Sequence, residues 1–108
     1  MELYKINREL KESSKRLTEG ADKLFILAKQ KAEADKKYRK KLQQSIMELK
    51  DKGERVTLIG DLARGMASEE KFERDLAEAR YVSGKELLES LRCEVSALQT
   101  ILKYYEEI

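Results

Sequence analysis

Apolar or small side chains return every three or four residues through the first half of this chain. They run from Leu3, Ile6, Leu10, Ser13, Leu17, Ala21, Leu24 and Ala28 to Tyr38, Leu42, Ile46 and Leu49, and the whole chain has no proline. Steps of three and four keep a set of side chains on one face of a helix with 3.6 residues per turn. Without proline, nothing in the covalent chain removes an amide donor or forces a kink. The pattern therefore predicts one long helix over about residues 2–51. Gly20 falls inside it at a cost of about 1 kcal/mol relative to alanine, and it permits a bend or a close crossing. Gly53, directly after Lys50-Asp51-Lys52, is the expected stop.

A second long helix is expected over about 69–107. Ser68 supplies an N-cap, and Glu69 and Glu70 suit the positive end of the helix dipole. Its later part alternates by four and three through Gly84, Leu88, Leu91, Val95, Leu98, Leu102 and Tyr105, and Phe72, Leu76 and Ala79 extend the stripe backward. Between the long helices, residues 53–68 form a connector with a short helix at about 58–64. Thr57 would cap it, Gly65 would end it, and Leu58, Ile59 and Leu62 would give it an apolar side. The fold class that follows is all-α: one domain, 1–108, built as an antiparallel, coiled-coil-like helical hairpin with a short connector helix.

Two helices make a thin core. Five consecutive apolar residues, Leu24, Phe25, Ile26, Leu27 and Ala28, turn through about 400° and leave the helix apolar on every side. Leu87, Ile101 and Ile108 widen the second stripe beyond a two-helix seam. Self-association into a bundle is the expectation, with Leu24, Phe25, Ile26, Leu27, Leu87, Ile101 and Ile108 as its residues.

Of the 108 residues, 41% are charged and 6% aromatic. That charge would fit disorder were the large apolar residues not so regularly spaced. The start, MELYKINREL, lacks the apolar core of a signal peptide, and no apolar run exceeds the five residues 24–28. Cys93 is the only cysteine, which suits a reducing compartment. A cytoplasmic protein with no membrane association is expected.

The chain has no histidine, the commonest general base and metal ligand. One cysteine cannot build a structural zinc site. Gly60 to Ser68 has the glycines and serine of a phosphate-binding loop, but Met66 occupies the lysine position and no strand precedes it. The acids Glu69, Glu70, Glu73, Asp75 and Glu78 alternate with Lys71, Arg74 and Arg80, as a solvated helix face does. No catalytic residue, metal or cofactor is expected. The functional pull lies in charge. Residues 1–65 carry 17 Lys/Arg against 11 acids, residues 66–108 carry 6 against 10, and seven Lys/Arg meet only two acids between Lys29 and Lys41. On a helical wheel Lys29, Lys36, Lys37, Lys40 and Lys41 share about 140° of arc, away from Tyr38 and Leu42. Such a face can follow a phosphate backbone, or simply solubilise the helix or pair with the acidic second helix.

From about Ala32 to Tyr105 the chain resembles a family of small helical phage and prophage proteins of Gram-positive bacteria. The resemblance is carried by Glu33 to Tyr38 leading to Leu49-Lys50-Asp51-Lys52-Gly53, by Val56-Thr57-Leu58-Ile59 with Gly65, and above all by Phe72-Glu73-Arg74-Asp75-Leu76-Ala77-Glu78-Ala79-Arg80-Tyr81. The ending, Tyr104-Tyr105-Glu106-Glu107-Ile108, departs from it. The resemblance implies a gene near those for recombination and single-strand binding, in an infected or lysogenic cell, and no active site. The matching residues also have structural roles, such as an ion pair between Arg74 and Glu78. The resulting expectation is a non-enzymatic accessory protein of phage DNA replication or recombination, acting through a protein partner and nucleic acid. An inhibitor of a host protein or a coiled-coil spacer are the alternatives.

Overall fold

The computed structural model describes residues 2–107. They form three helices, α1 (Leu3–Asp51), α2 (Val56–Met66) and α3 (Ser68–Glu107), with no strand among the described residues. Ile108, expected at a self-association surface, lies outside them. Two compact units divide the chain: Met1–Ile26 with Val82–Ile108, and Leu27–Tyr81. Each is an antiparallel pairing of a stretch of α1 with a stretch of α3, and the second also holds α2.

In the first unit the seam residues of α1 are Ile6, Leu10, Ser13, Leu17, Gly20 and Leu24, all buried or half-buried. Those of α3 are Gly84, Leu88, Leu91, Val95, Leu98 and Leu102. Both sets alternate three and four, the signature of side chains meshing as in a coiled coil. Two contacts set direction and register. The Ser13 hydroxyl donates to Glu94 Oε1 at 3.1 Å, and a Cβ placed on Gly20 would stand 2.7 Å from Leu88 Cδ2. Numbers rise along α1 as they fall along α3. Ala21 was expected in the stripe, yet Gly20 occupies the seam and Ala21 is exposed. The end of Leu88 reaches over residue 20, and the glycine leaves it room that a larger side chain would take.

The second unit repeats the pairing with more polar contacts. Lys31 Nζ lies 5.2 Å from the centre of the Tyr81 ring, and Arg74 Cζ lies 4.3 Å from that of Tyr38. The α3 seam here is Glu70, Arg74, Ala77 and Tyr81, while Phe72 and Ala79 are exposed. Of the expected stripe of Phe72, Leu76 and Ala79, Leu76 alone is half-buried, and the seam is displaced round the helix. Arg74 does not pair with Glu78 as a solvated helix residue would; it bonds Asp75 at 3.2 Å and lies over Tyr38. A guanidinium on a ring face gains cation–π attraction and covers the aromatic surface together.

The ends of the elements have local causes. Gly53 adopts φ 77°, its N–H bonds the Lys50 carbonyl, and the Glu54 N–H bonds the Leu49 carbonyl. This is the paired closure of a helix on a left-handed residue, for which glycine has no steric penalty. The short helix is longer than the expected 58–64. It opens after extended Arg55, whose carbonyl takes the Leu58 and Ile59 amides, so Thr57 lies inside the helix and is no cap. It also runs through Gly65, and Ala67 both closes α2 and accepts the Lys71 amide of α3. Ser68 is therefore a helical residue rather than the cap, and almost no linker remains. Packing decides this. Starting at Val56 places Ile59, Ala63 and Ala67, four residues apart, on one line, and all three are buried.

Ile59 and Ala63 close on Leu49, with Leu42 and Ile46 against them. Leu58 and Leu62 stand about 100° round from that line, and Leu62 keeps 42% exposure where Ile59 keeps 6%. Ile59→Ala is therefore expected to cost about 2–5 kcal/mol. Leu62→Ala should cost about 1 kcal/mol or less. Urea titration followed by circular dichroism separates them; equal losses would mean that α2 docks through its other face.

Candidate functional site

The basic stretch of α1 lies in the second unit, and the structure sorts its cations. Lys31 is drawn into the seam over Tyr81, and Arg39 bonds Asp35 one turn back at 3.0 Å. Lys41 is half-buried beside the seam. Lys29, Lys36, Lys37 and Lys40 are exposed. At 100° per residue, Lys29, Lys36 and Lys40 fall within about 40° of one another, directly opposite buried Tyr38, and Lys37 lies about 60–100° round from them. Lys36, Lys37 and Lys40, with Glu33, border a shallow hollow of about 270 Å³ lined by their aliphatic stems.

Pairing between this face and the acidic second helix was one reading of the sequence. Five ion pairs among the described residues, Arg39–Asp35, Lys52–Glu48, Arg64–Asp61, Arg74–Asp75 and Arg92–Glu89, each join side chains no more than four positions apart. No carboxylate of the described residues lies within 4.0 Å of Lys29, Lys36, Lys37 or Lys40. Lys37 comes nearest to such a role, because it borders an open groove of about 540 Å³ with Glu69, Glu70, Glu73 and Arg80 of α3. On the opposite side of the seam a groove of about 440 Å³ is lined by Lys31, Asp35, Arg74, Glu78 and Tyr81, with Ala28 and Ala32. Its two cations are those already engaged with aromatic rings. Sequence reasoning missed this seam because it sought leucines at seam positions. Arg74 and Lys31 recur at the same three-and-four interval as their apolar neighbours, and that spacing was the available signal.

The apolar run Leu24–Ala28 divides. Leu24, Leu27 and Ala28 are half-buried, while Phe25 is 73% and Ile26 54% exposed. Those two point about 100° apart and make no single patch. On α3, Leu87 is 58% and Ile101 38% exposed, 14 residues apart, with Glu94 turned to Ser13 between them. Cys93 is an exposed free thiol. The phosphate-loop lookalike, Gly60 to Ser68, is helix and helix corner. Among the described residues no group of three or more His, Cys, Asp or Glu could hold a metal ion, and no helix is long and apolar enough to cross a membrane. No family model, curated protein or solved structure matches this chain.

Proposed function

We propose that this is a non-enzymatic phage or prophage accessory protein that works by contact in the cytoplasm of the bacterial cell, holding nucleic acid during phage DNA replication or recombination through the outer face of α1. The observation that carries this reading is the unpaired state of Lys29, Lys36, Lys37 and Lys40: exposed, on the outer side of one helix, with no carboxylate within 4.0 Å. An ammonium without an intramolecular partner has no ion pair to break when it meets a phosphate, and each such contact releases condensed counterions. No aromatic side chain interleaves Lys29, Lys36 and Lys40, and Phe25, one turn before Lys29, is a single ring, so the reading is of the backbone rather than of a row of stacked bases. The phage setting rests on the resemblance carried by Phe72 to Tyr81.

A fluorescence anisotropy titration of a labelled 30-bp duplex tests this. Binding at about 50 mM salt that weakens steeply by 200 mM, and is indifferent to sequence, is expected. Absence of binding at 50 mM would end the nucleic-acid reading. A second reading, inhibition of a host protein, is favoured by Phe25, an aromatic side chain held largely in solvent on a helix, the kind of residue that anchors protein interfaces. It takes the lead if nuclease-treated host lysate yields one salt-resistant partner whose capture needs Phe25.

A further inference from the structure

The outer side of α3 in the second unit holds an aromatic ring with free acids on one flank. Phe72 is 62% exposed and stands about 160–180° round from Arg74 and Tyr81 of the seam. Glu69 lies about 60° and Glu73 about 100° round from it on the same flank, one turn apart and both exposed. No cation of the described residues comes within 4.0 Å of either carboxylate. On the other flank Asp75 is held by Arg74, and Lys71 stands about 100° round.

The outer side of α1 in the same unit offers the counterpart. Glu33, Lys36, Lys37 and Lys40 are spaced as i, i+3, i+4 and i+7, the four corners of a hole that receives one side chain of a neighbouring helix. The hollow they border is lined by aliphatic stems and measures about 270 Å³. A cavity of about 150 Å³ already holds a benzene ring. Its rim is cationic, three ammonium groups against the one carboxylate of Glu33.

We infer that this chain binds its own copies head to tail, the Phe72 ring of one entering the lysine hollow of the next. Ring and rim reinforce each other, because ammonium groups are drawn to the face of an aromatic ring. Charge agrees as well. Lys36 and Lys37 form the two flanks of the hollow, about 50° to either side of its centre, so Glu69 and Glu73 reach one of them whichever way the helices run. The two halves cannot meet within one chain, since both point away from the seam between α1 and α3. The contact therefore joins unlike faces and repeats without closing. One ring and its rim bury far less than the roughly 1,200 Å² of a stable interface, so each link is weak, and salt weakens it further. The link uses lysines assigned above to phosphate, but it does not rest on that assignment.

Sedimentation equilibrium of the full chain, free of nucleic acid, from 10 to 500 µM tests this. At about 50 mM salt the average mass should climb with concentration beyond twice 12.6 kDa, and at about 500 mM it should fall back toward 12.6 kDa. Phe72→Ala removes one half of the contact, and Lys36→Gln with Lys40→Gln neutralises the other. Each should hold the monomer mass with helix content by circular dichroism unchanged. Mixed in equal amounts, the two variants should associate again and stop at twice the monomer mass, because one keeps its hollow and the other its ring. Should one variant fold poorly, the other tests the contact by itself. A monomer throughout the range at 50 mM salt overturns the proposal. So does association that persists undiminished at 500 mM, that tolerates either variant, or that the mixture fails to restore.

Discussion

Exchanging Lys29, Lys36 and Lys40 for glutamine is expected to weaken duplex binding by a few hundredfold at 0.1 M salt and to lower the slope of log affinity against log salt by about three units. Each phosphate contact contributes roughly 0.9 to that slope, and counterion release multiplies across contacts, so three losses at 0.1 M amount to about 10^2.7. These three lysines are chosen because they lie together opposite Tyr38 with no carboxylate within 4.0 Å. Removing them should leave the melting curve within about 0.5 kcal/mol of wild type, because none supports the seam. Lys41→Gln is the internal control. It is half-buried beside the seam, so its binding should fall little. Anisotropy at four salt concentrations measures all of this. If the triple variant keeps the wild-type slope, DNA is not held by this face, and the host-protein reading leads.

Gly20→Leu is expected to destabilise the first unit by several kcal/mol, a fall in melting temperature of about 10 °C or more. The reason is steric. Even a Cβ at residue 20 would stand 2.7 Å from Leu88 Cδ2, and Leu88 is buried in the seam. Overpacking a meshed core costs about 1–3 kcal/mol for a few methylenes, and a leucine adds four carbons. Each kcal/mol moves the midpoint of a domain this size by about 4–8 °C. Gly20→Ala opposes two effects, because it gains about 1 kcal/mol of helix propensity and pushes the end of Leu88. Its net change should be small. The decisive measurement is the double variant Gly20→Leu with Leu88→Ala. Each change alone destabilises, and together the large and small residues merely exchange sides, so the pair should recover at least about 1 kcal/mol relative to the sum. Strict additivity would mean that the two positions do not face each other.

The seam shows where sequence reasoning reached its limit. Leu88, Leu91, Val95, Leu98 and Leu102 were legible because leucine and valine at alternating intervals have one economical use. Ser13 was placed in the stripe by its spacing alone, whereas Gly20, Lys31, Arg74 and Glu70 occupy equivalent positions and their residue types say nothing of burial. Ser13 belongs because its hydroxyl finds Glu94, Lys31 and Arg74 because they find Tyr81 and Tyr38, and Gly20 because it makes room for Leu88. Each depends on a partner far away in the chain, which no local window contains. The candidate site divided in the same way. That lysines crowd the outer side of α1 followed from the helical wheel. That Lys31 and Lys41 turn aside, and that no described acid of α3 comes within 4.0 Å of the others, depended on the register of the two helices.

The sequence by itself determined the three helices, the absence of strands among the described residues and the stop at Gly53, because each rests on physics acting within a few residues: helical periodicity, the missing proline, and a left-handed turn that glycine adopts freely. Tertiary structure decided where α2 begins and ends, that Ala67 rather than Ser68 forms the corner, and which apolar residues are covered. Thr57 and Gly65 were reasonable local signals worth about 1 kcal/mol each. Lining up Ile59, Ala63 and Ala67 against the rest of the fold, with Ile59 and Ala63 on Leu49, stabilises the helix by several times as much, and that burial set the boundaries.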